Sequence, residues 1–275
     1  MTHRFQLVGL VAALALIAGC VPDNVSDFDF KALQPPAPPP ELTGDVLVGN
    51  ESAGPLTVEL YADRGGAHLG MNALSARIAR GGAQQTNARI TWTATPTDGP
   101  AAGVELATVD PPTQADAEGF FRGEAFLLTP DTTARSFEIT VQITPLDGAT
   151  QEATFAVDAR NDIWQQISDD LLISWVSPAR PVVGANTFEV AAHRWTGTTF
   201  EAVDGATPSL SPYMDMGGGD GHSTPFTEPT GVGNGRYRST VDFIMSGGWE
   251  MGVSLALPGR PTDTIRFVGY TVYEP

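Results

Sequence analysis

Apolar and polar residues alternate with a period of two over much of this chain. In Phe137-Glu138-Ile139-Thr140-Val141-Gln142-Ile143 the alternation is complete. In Trp249-Glu250-Met251-Gly252-Val253-Ser254-Leu255-Ala256-Leu257 the odd positions are apolar and the even ones small or polar, Ala256 being apolar but small. Such runs predict half-buried antiparallel strands. Turn signals fall between them at Asp147-Gly148, Asp204-Gly205 and Asn234-Gly235. One stretch breaks the pattern: NDIWQQISDD, residues 161–170, reads as a short helix, with Trp164 and Ile167 packing at a junction.

The strands come in two ordered sets. LGMNALSARI matches VGANTFEVAA, GFFRGEAF matches GRYRSTVDF, and SFEITVQI matches GWEMGVSL, in the same order in both halves. The expected fold is therefore all-β: two tandem immunoglobulin-like antiparallel β-sandwiches, residues 44–158 and 171–275, joined by a linker over 159–170. Each has the length of one such sandwich, about 100 residues. A tandem duplication explains the correspondences, and two unrelated β-domains with similar turns are the alternative.

The amino terminus follows different rules. Arg4 precedes an apolar run from Leu7 to Ile17. As a helix this run is ~16 Å long, too short for a ~30 Å hydrocarbon core. It reads as the core of a signal peptide over 1–19. The run ends in Ile17-Ala18-Gly19-Cys20, which closely resembles a bacterial lipoprotein lipobox, and Cys20 is the chain's single cysteine. That resemblance implies cleavage before Cys20 and lipid on its sulfur and new amino group. Two or more acyl chains anchor a protein stably at ~0.8 kcal/mol per buried methylene. Val21, not an aspartate, follows the cysteine. By resemblance to lipoprotein sorting signals, this favours the periplasmic face of the outer membrane in an organism with two membranes. Residues 20–43 include QPPAPPPEL, a polyproline-type tether at ~3.1 Å per residue.

Composition narrows the function classes. Acidic residues outnumber basic ones 32 to 15, the formal charge is −17, and Lys31 is the single lysine. This argues against nucleic acid or anionic lipid as a partner through charge. Without Cys20 the mature chain has no thiol, so disulfides and cysteine chemistry are excluded and a real hydrophobic core is required. No nucleophile elbow is present, and Gly-Gly-Gly-Asp-Gly lacks the lysine and following helix of a phosphate loop. The chain is not expected to be an enzyme.

Four further pieces lie in the second half. They are Pro181-Val182-Val183-Gly184-Ala185-Asn186, Tyr213-Met214-Asp215-Met216-Gly217, Gly235-Arg236-Tyr237, and Met245-Ser246-Gly247-Gly248-Trp249-Glu250. Over roughly residues 170–260 they resemble the YtkA-like, or FixH-like, domain of bacterial envelope proteins, with Asp215 where that family usually has proline. The first half keeps the strand framework but lacks the methionine-glycine stretch, and Phe137 stands where Trp249 does. The resemblance implies an immunoglobulin-like sandwich. Some members of the family sit beside copper-handling genes, which brings a metal into consideration.

The candidate chemistry lies in YMDMGGGDGHSTP, residues 213–225. Thioethers and an imidazole suit copper(I), and Met214, Met216 and His222 are the candidate ligands. The competing reading makes the methionines the apolar end of the sandwich, as Leu210, Met214 and Met216 share one strand face, and makes the glycines a loop. Met245 and Met251 are expected core filler. Asp215 and Asp220 lack calcium-loop spacing. Three functions remain: a membrane-anchored, non-catalytic module binding another envelope protein or a glycan, a periplasmic copper-handling module, and a structural spacer.

Overall fold

Sequence alternation becomes alternate burial. In Phe137–Ile143 the four odd-numbered side chains are buried and the even ones reach solvent. The computed structural model describes residues 45–107, 112, 114–131, 133–146, 148–217 and 220–275. The expected signal peptide, Cys20 and the proline-rich tether lie outside these residues, as do Asp147, Gly218 and Gly219. Among the described residues there is no helix.

The first half holds β1 (Val46–Ala53), β2 (Leu56–Ala62), β3 (Gly70–Arg80), β4 (Ala83–Gln84), β5 (Ala88–Pro96), β6 (Leu106–Ala107), β7 (Phe121–Leu127), β8 (Ser136–Pro145) and β9 (Gln151–Asp158). One sheet runs β1-β2-β3 with β7 beside β3, and the facing sheet runs β6-β5-β8-β9. They enclose a core containing Leu60, Ile78, Trp92, Phe121, Phe137 and Val141.

The second half holds β10 (Gln165–Ser168), β11 (Leu171–Ser177), β12 (Gly184–Trp195), β13 (Phe200–Ala202), β14 (Thr207–Gly217), β15 (Asp220–His222), β16 (Thr230–Gly233), β17 (Arg236–Phe243), β18 (Gly247–Ala256) and β19 (Asp263–Val272). Its sheets run β10-β11-β12-β17-β16 and β15-β14-β18-β19. Trp175, Phe188, Tyr237, Trp249, Met251 and Phe267 fill the space between them. Met251 is fully buried, and Met245 packs against the same core from its edge.

Apart from β16, the two halves share one strand order. The three pairs of similar sequence segments fall on β3 and β12, β7 and β17, and β8 and β18, which hold the same places in that order. The halves also close alike. Asn72 Nδ2 donates to the His68 and Gly70 carbonyls, and its Oδ1 accepts from the His68 N–H. Asn186 does the same with Val182 and Gly184. Each asparagine holds a segment that makes a parallel bridge to the end of its own half, His68 to Arg160 and Val182 to Tyr273. Gly70 and Gly184 both have φ near +100° there, a conformation open to glycine and strained for other residues.

The helix expected over 161–170 is not formed. Gln165–Ser168 is β10, paired antiparallel with β11. Ser168 pairs with Leu171, so Asp169-Asp170 is a two-residue hairpin turn, with Asp169 at φ 51°. A strand forms because β11, buried along Leu171–Val176, presents backbone N–H and C=O groups that need partners.

The described residues form one compact unit, and a buried junction joins the two sheet pairs. Arg64, 3% exposed, reaches across it. Its Nη2 donates to the Val176 carbonyl at 2.6 Å, and its guanidinium lies 4.2 Å from the centre of the Trp164 ring. Asp63 pairs with it at 3.2 Å. Phe126 packs edge-on against His193 at 4.7 Å. Ala101 and Leu128 meet Leu172 and Phe200 in a small shared cluster. Arg236 pairs with Glu124 at 2.6 Å and also with buried Glu189.

Candidate functional site

The methionine-glycine stretch forms the β14–β15 hairpin. Leu210, Pro212 and Met214 point inward from β14, as period-two geometry requires. Met214 is 5% exposed and belongs to the second core. Met216 has the same parity but lies past the end of that core, and is 43% exposed. His222, exposed on β15, stands opposite Met214 in the register. A bulge between Asp215 and Gly217 interrupts the pairing, and Asp215 Oδ1 accepts from the Gly217 N–H at 2.8 Å. The fold thus sets two of the three candidate copper ligands opposite each other across a strand pair. Met216 stands two residues further along β14. Among the described residues, no group of three or more His, Cys, Asp or Glu side chains is placed to hold a metal ion.

The other two described histidines are sealed in the junction, where no substrate reaches them. Burial pushes His68 down to about 3, helped by the charge of Arg64, and burial pushes His193 down to about 4. Both are therefore neutral at ordinary pH. His68 Nε2 lies 2.8 Å from the Met71 carbonyl. Tyr270, buried beside the second core, has its hydroxyl raised well above its ordinary value by desolvation.

Beside the hairpin, the outer face of β14, β18 and β19 carries a concavity of about 480 Å³. It is lined by Ser211 and Tyr213 of β14, Glu250 and Gly252 of β18, Arg266 of β19, and Ser223 and Phe226 of the segment after β15. Ser211, Gly252 and Arg266 are cross-strand neighbours in one row. Tyr213 pairs with Glu250 in the next row. Arg266 Nη1 donates to Glu250 Oε2 at 3.2 Å. Sequence reading missed this site because four separated segments build it. One signal was present: Gly252 is an isolated glycine at an outward position of a strand, a mark of close approach or of room kept for something else.

One family profile, YtkA-like, matches residues 165–254. The match runs from β10 into β18 and covers about a third of the chain. Among curated proteins none matches the chain in sequence. Solved structures that match include invasin, a bacterial integrin-binding protein, at 15% identity, covering 77% of this chain and 39% of that one, with a TM-score of 0.24. This chain therefore spans about two fifths of the invasin structure. A Ca2+-stabilised ice-binding adhesin of an Antarctic bacterium is 12% identical over 80% of this chain and 56% of that one, with a TM-score of 0.21. A conserved domain protein from Bacillus anthracis is 8% identical over 82% of this chain and 92% of that one, with a TM-score of 0.25.

Proposed function

We propose that this chain is a non-catalytic binding module of the cell envelope. In this reading Cys20 carries the lipid anchor and residues 20–43 are the tether. The two sandwiches, 44–158 and 171–275, arose by duplication and act as one stiff body that presents the outer face of β14, β18 and β19 to another envelope component. The observation that carries the reading is the junction. Its buried Arg64 bonds, its ring contacts and its apolar cluster leave little freedom for one half to swing against the other. A stiff body on a tether holds a binding face at a set distance from the membrane. The same stiffness would serve a spacer, and a partner for the outer face separates the two roles.

Site-specific photo-crosslinkers in cells make the test. At Ser209 and Thr264, flanking the concavity, they should give a discrete adduct, whereas at Thr140 on the first half they should not. No adduct at any site contradicts binding to an envelope protein and leaves a glycan ligand or the spacer. Labelled palmitate should mark the wild-type chain and not Cys20→Ala, and an unmarked wild type overturns the anchor.

A second reading, copper(I) handling, is favoured by the Met214–His222 pairing. Met214→Leu with Met216→Leu keeps volume and costs under about 1.5 kcal/mol. Under this reading the double variant folds but loses a copper(I) complex that resists a strong chelator. Failure of the wild type to form such a complex removes the reading.

A further inference from the structure

We propose that the concavity on the outer face of β14, β18 and β19 binds a sugar ring of a neutral glycan. This deepens the binding reading above and rests on it. The floor is Ser211 lying over Gly252. Gly252 is buried, and a Cβ there would come within 2.6 Å of Ser211 Oγ, so the serine lies low in the middle of the face because its cross-strand neighbour has no side chain. One wall is the Tyr213 ring, 37% exposed. It lies directly over Gly221 of the hairpin, with no room for a Cβ beneath it. The ring is propped by backbone on the surface rather than sunk in the core, and Phe226 adds apolar surface nearby. Rigid aromatic area of this kind suits the C–H face of a pyranose.

The rim supplies matched polar groups. Glu250 accepts and Arg266 donates, and Ser211 and Ser223 can do either. The vicinal hydroxyls of a sugar both donate and accept, so they can complete the hydrogen bonds of a charged pair without breaking it. Arg266 is already balanced by Glu250, and the chain carries −17, so an anionic ligand gains no net attraction. A basic peptide would have to displace Arg266. The volume of about 480 Å³ falls in the range of small-ligand sites, about 300–1,000 Å³.

The test titrates the full-length chain, held in a sugar-free detergent, with glucose, galactose, mannose, N-acetylglucosamine and their disaccharides, followed by calorimetry and ligand-observed NMR. At least one should bind in the millimolar range or tighter. Tyr213→Ala and Arg266→Gln should each weaken that binding tenfold or more while leaving the thermal midpoint in place, because both side chains are on the surface. Gly252→Val should abolish binding by pushing Ser211 up into the concavity. The proposal falls if no saccharide of this set binds, or if both surface variants bind as the wild type does. Should sugars fail while crosslinks from Ser209 and Thr264 persist, the glycan is wrong and the binding module stands. If sugars bind and crosslinks to protein are absent, the ligand is the glycan itself.

Discussion

Asn72 and Asn186 each satisfy one N–H and two carbonyls at a strand lead-in, buried around Asn72 and half-buried around Asn186. Alanine leaves those groups without that partner, at about 1–3 kcal/mol for each one that water cannot reach. Asn72→Ala is expected to cost about 3 kcal/mol or more in urea unfolding, and Asn186→Ala, at its half-buried lead-in, about 1–3 kcal/mol; a change below 1 kcal/mol at either would contradict the assigned bonds. Asn186 was visible in the sequence as part of a lead-in motif. Its task was not, because the bridge it supports joins Val182 to Tyr273, far along the chain. The junction histidines give a pH dependence with a definite sign. Both are neutral in the fold, while the unfolded chain protonates them near the ordinary 6.5. Below about pH 6.5 the unfolded state therefore binds more protons, and stability falls with pH down to about 4 for His193 and about 3 for His68. Asp63 and Asp162, raised by burial, act in the opposite sense and soften the fall. His193→Leu should flatten the stability profile between pH 6.5 and 4, removing on the order of 3 kcal/mol of dependence. An unchanged slope would mean that His193 is solvated.

The strand periodicity of β8 and β18 was plain in the sequence because each has one wet face and one dry face. The failure at 161–170 is equally physical. Ile163, Trp164 and Ile167 have a helix-compatible spacing, but the open edge of β11 outweighs local preference, since pairing there satisfies buried backbone groups. The Asp169-Asp170 pair was the readable sign of a hairpin. It also offers a discriminating substitution. Asp169 has φ 51°, where a β-branched residue is strained by roughly 1–2 kcal/mol. In a helix, Asp and Val have nearly equal propensity. Asp169→Val should therefore destabilise the protein by about 1–2 kcal/mol, whereas a neutral outcome would restore the helix. The Asn234-Gly235 turn was legible as well: both residues have positive φ, and Gly233 pairs with Arg236 across it. The concavity was not legible, because a surface dip made from β14, β18, β19 and the 223–226 segment has no local pattern.

Across the whole molecule, stiffness depends on groups that local sequence does not single out. Arg64 lies in a glycine-rich turn and reads as an ordinary surface arginine, yet it is buried against Val176 and Trp164. Removing it leaves the Val176 carbonyl and Asp63 without their partner, and Arg64→Ala should cost about 3–5 kcal/mol, read by urea unfolding. A cost below 1 kcal/mol would mean that the junction is not held by this residue. The most direct measurement of the stiff-body account is the distance between spin labels placed by Thr140→Cys and Ser209→Cys, in the Cys20→Ala background. The account predicts a single narrow distribution in the otherwise wild-type chain, and a broad one when Arg64→Ala is added. A broad distribution before Arg64 is touched would contradict it.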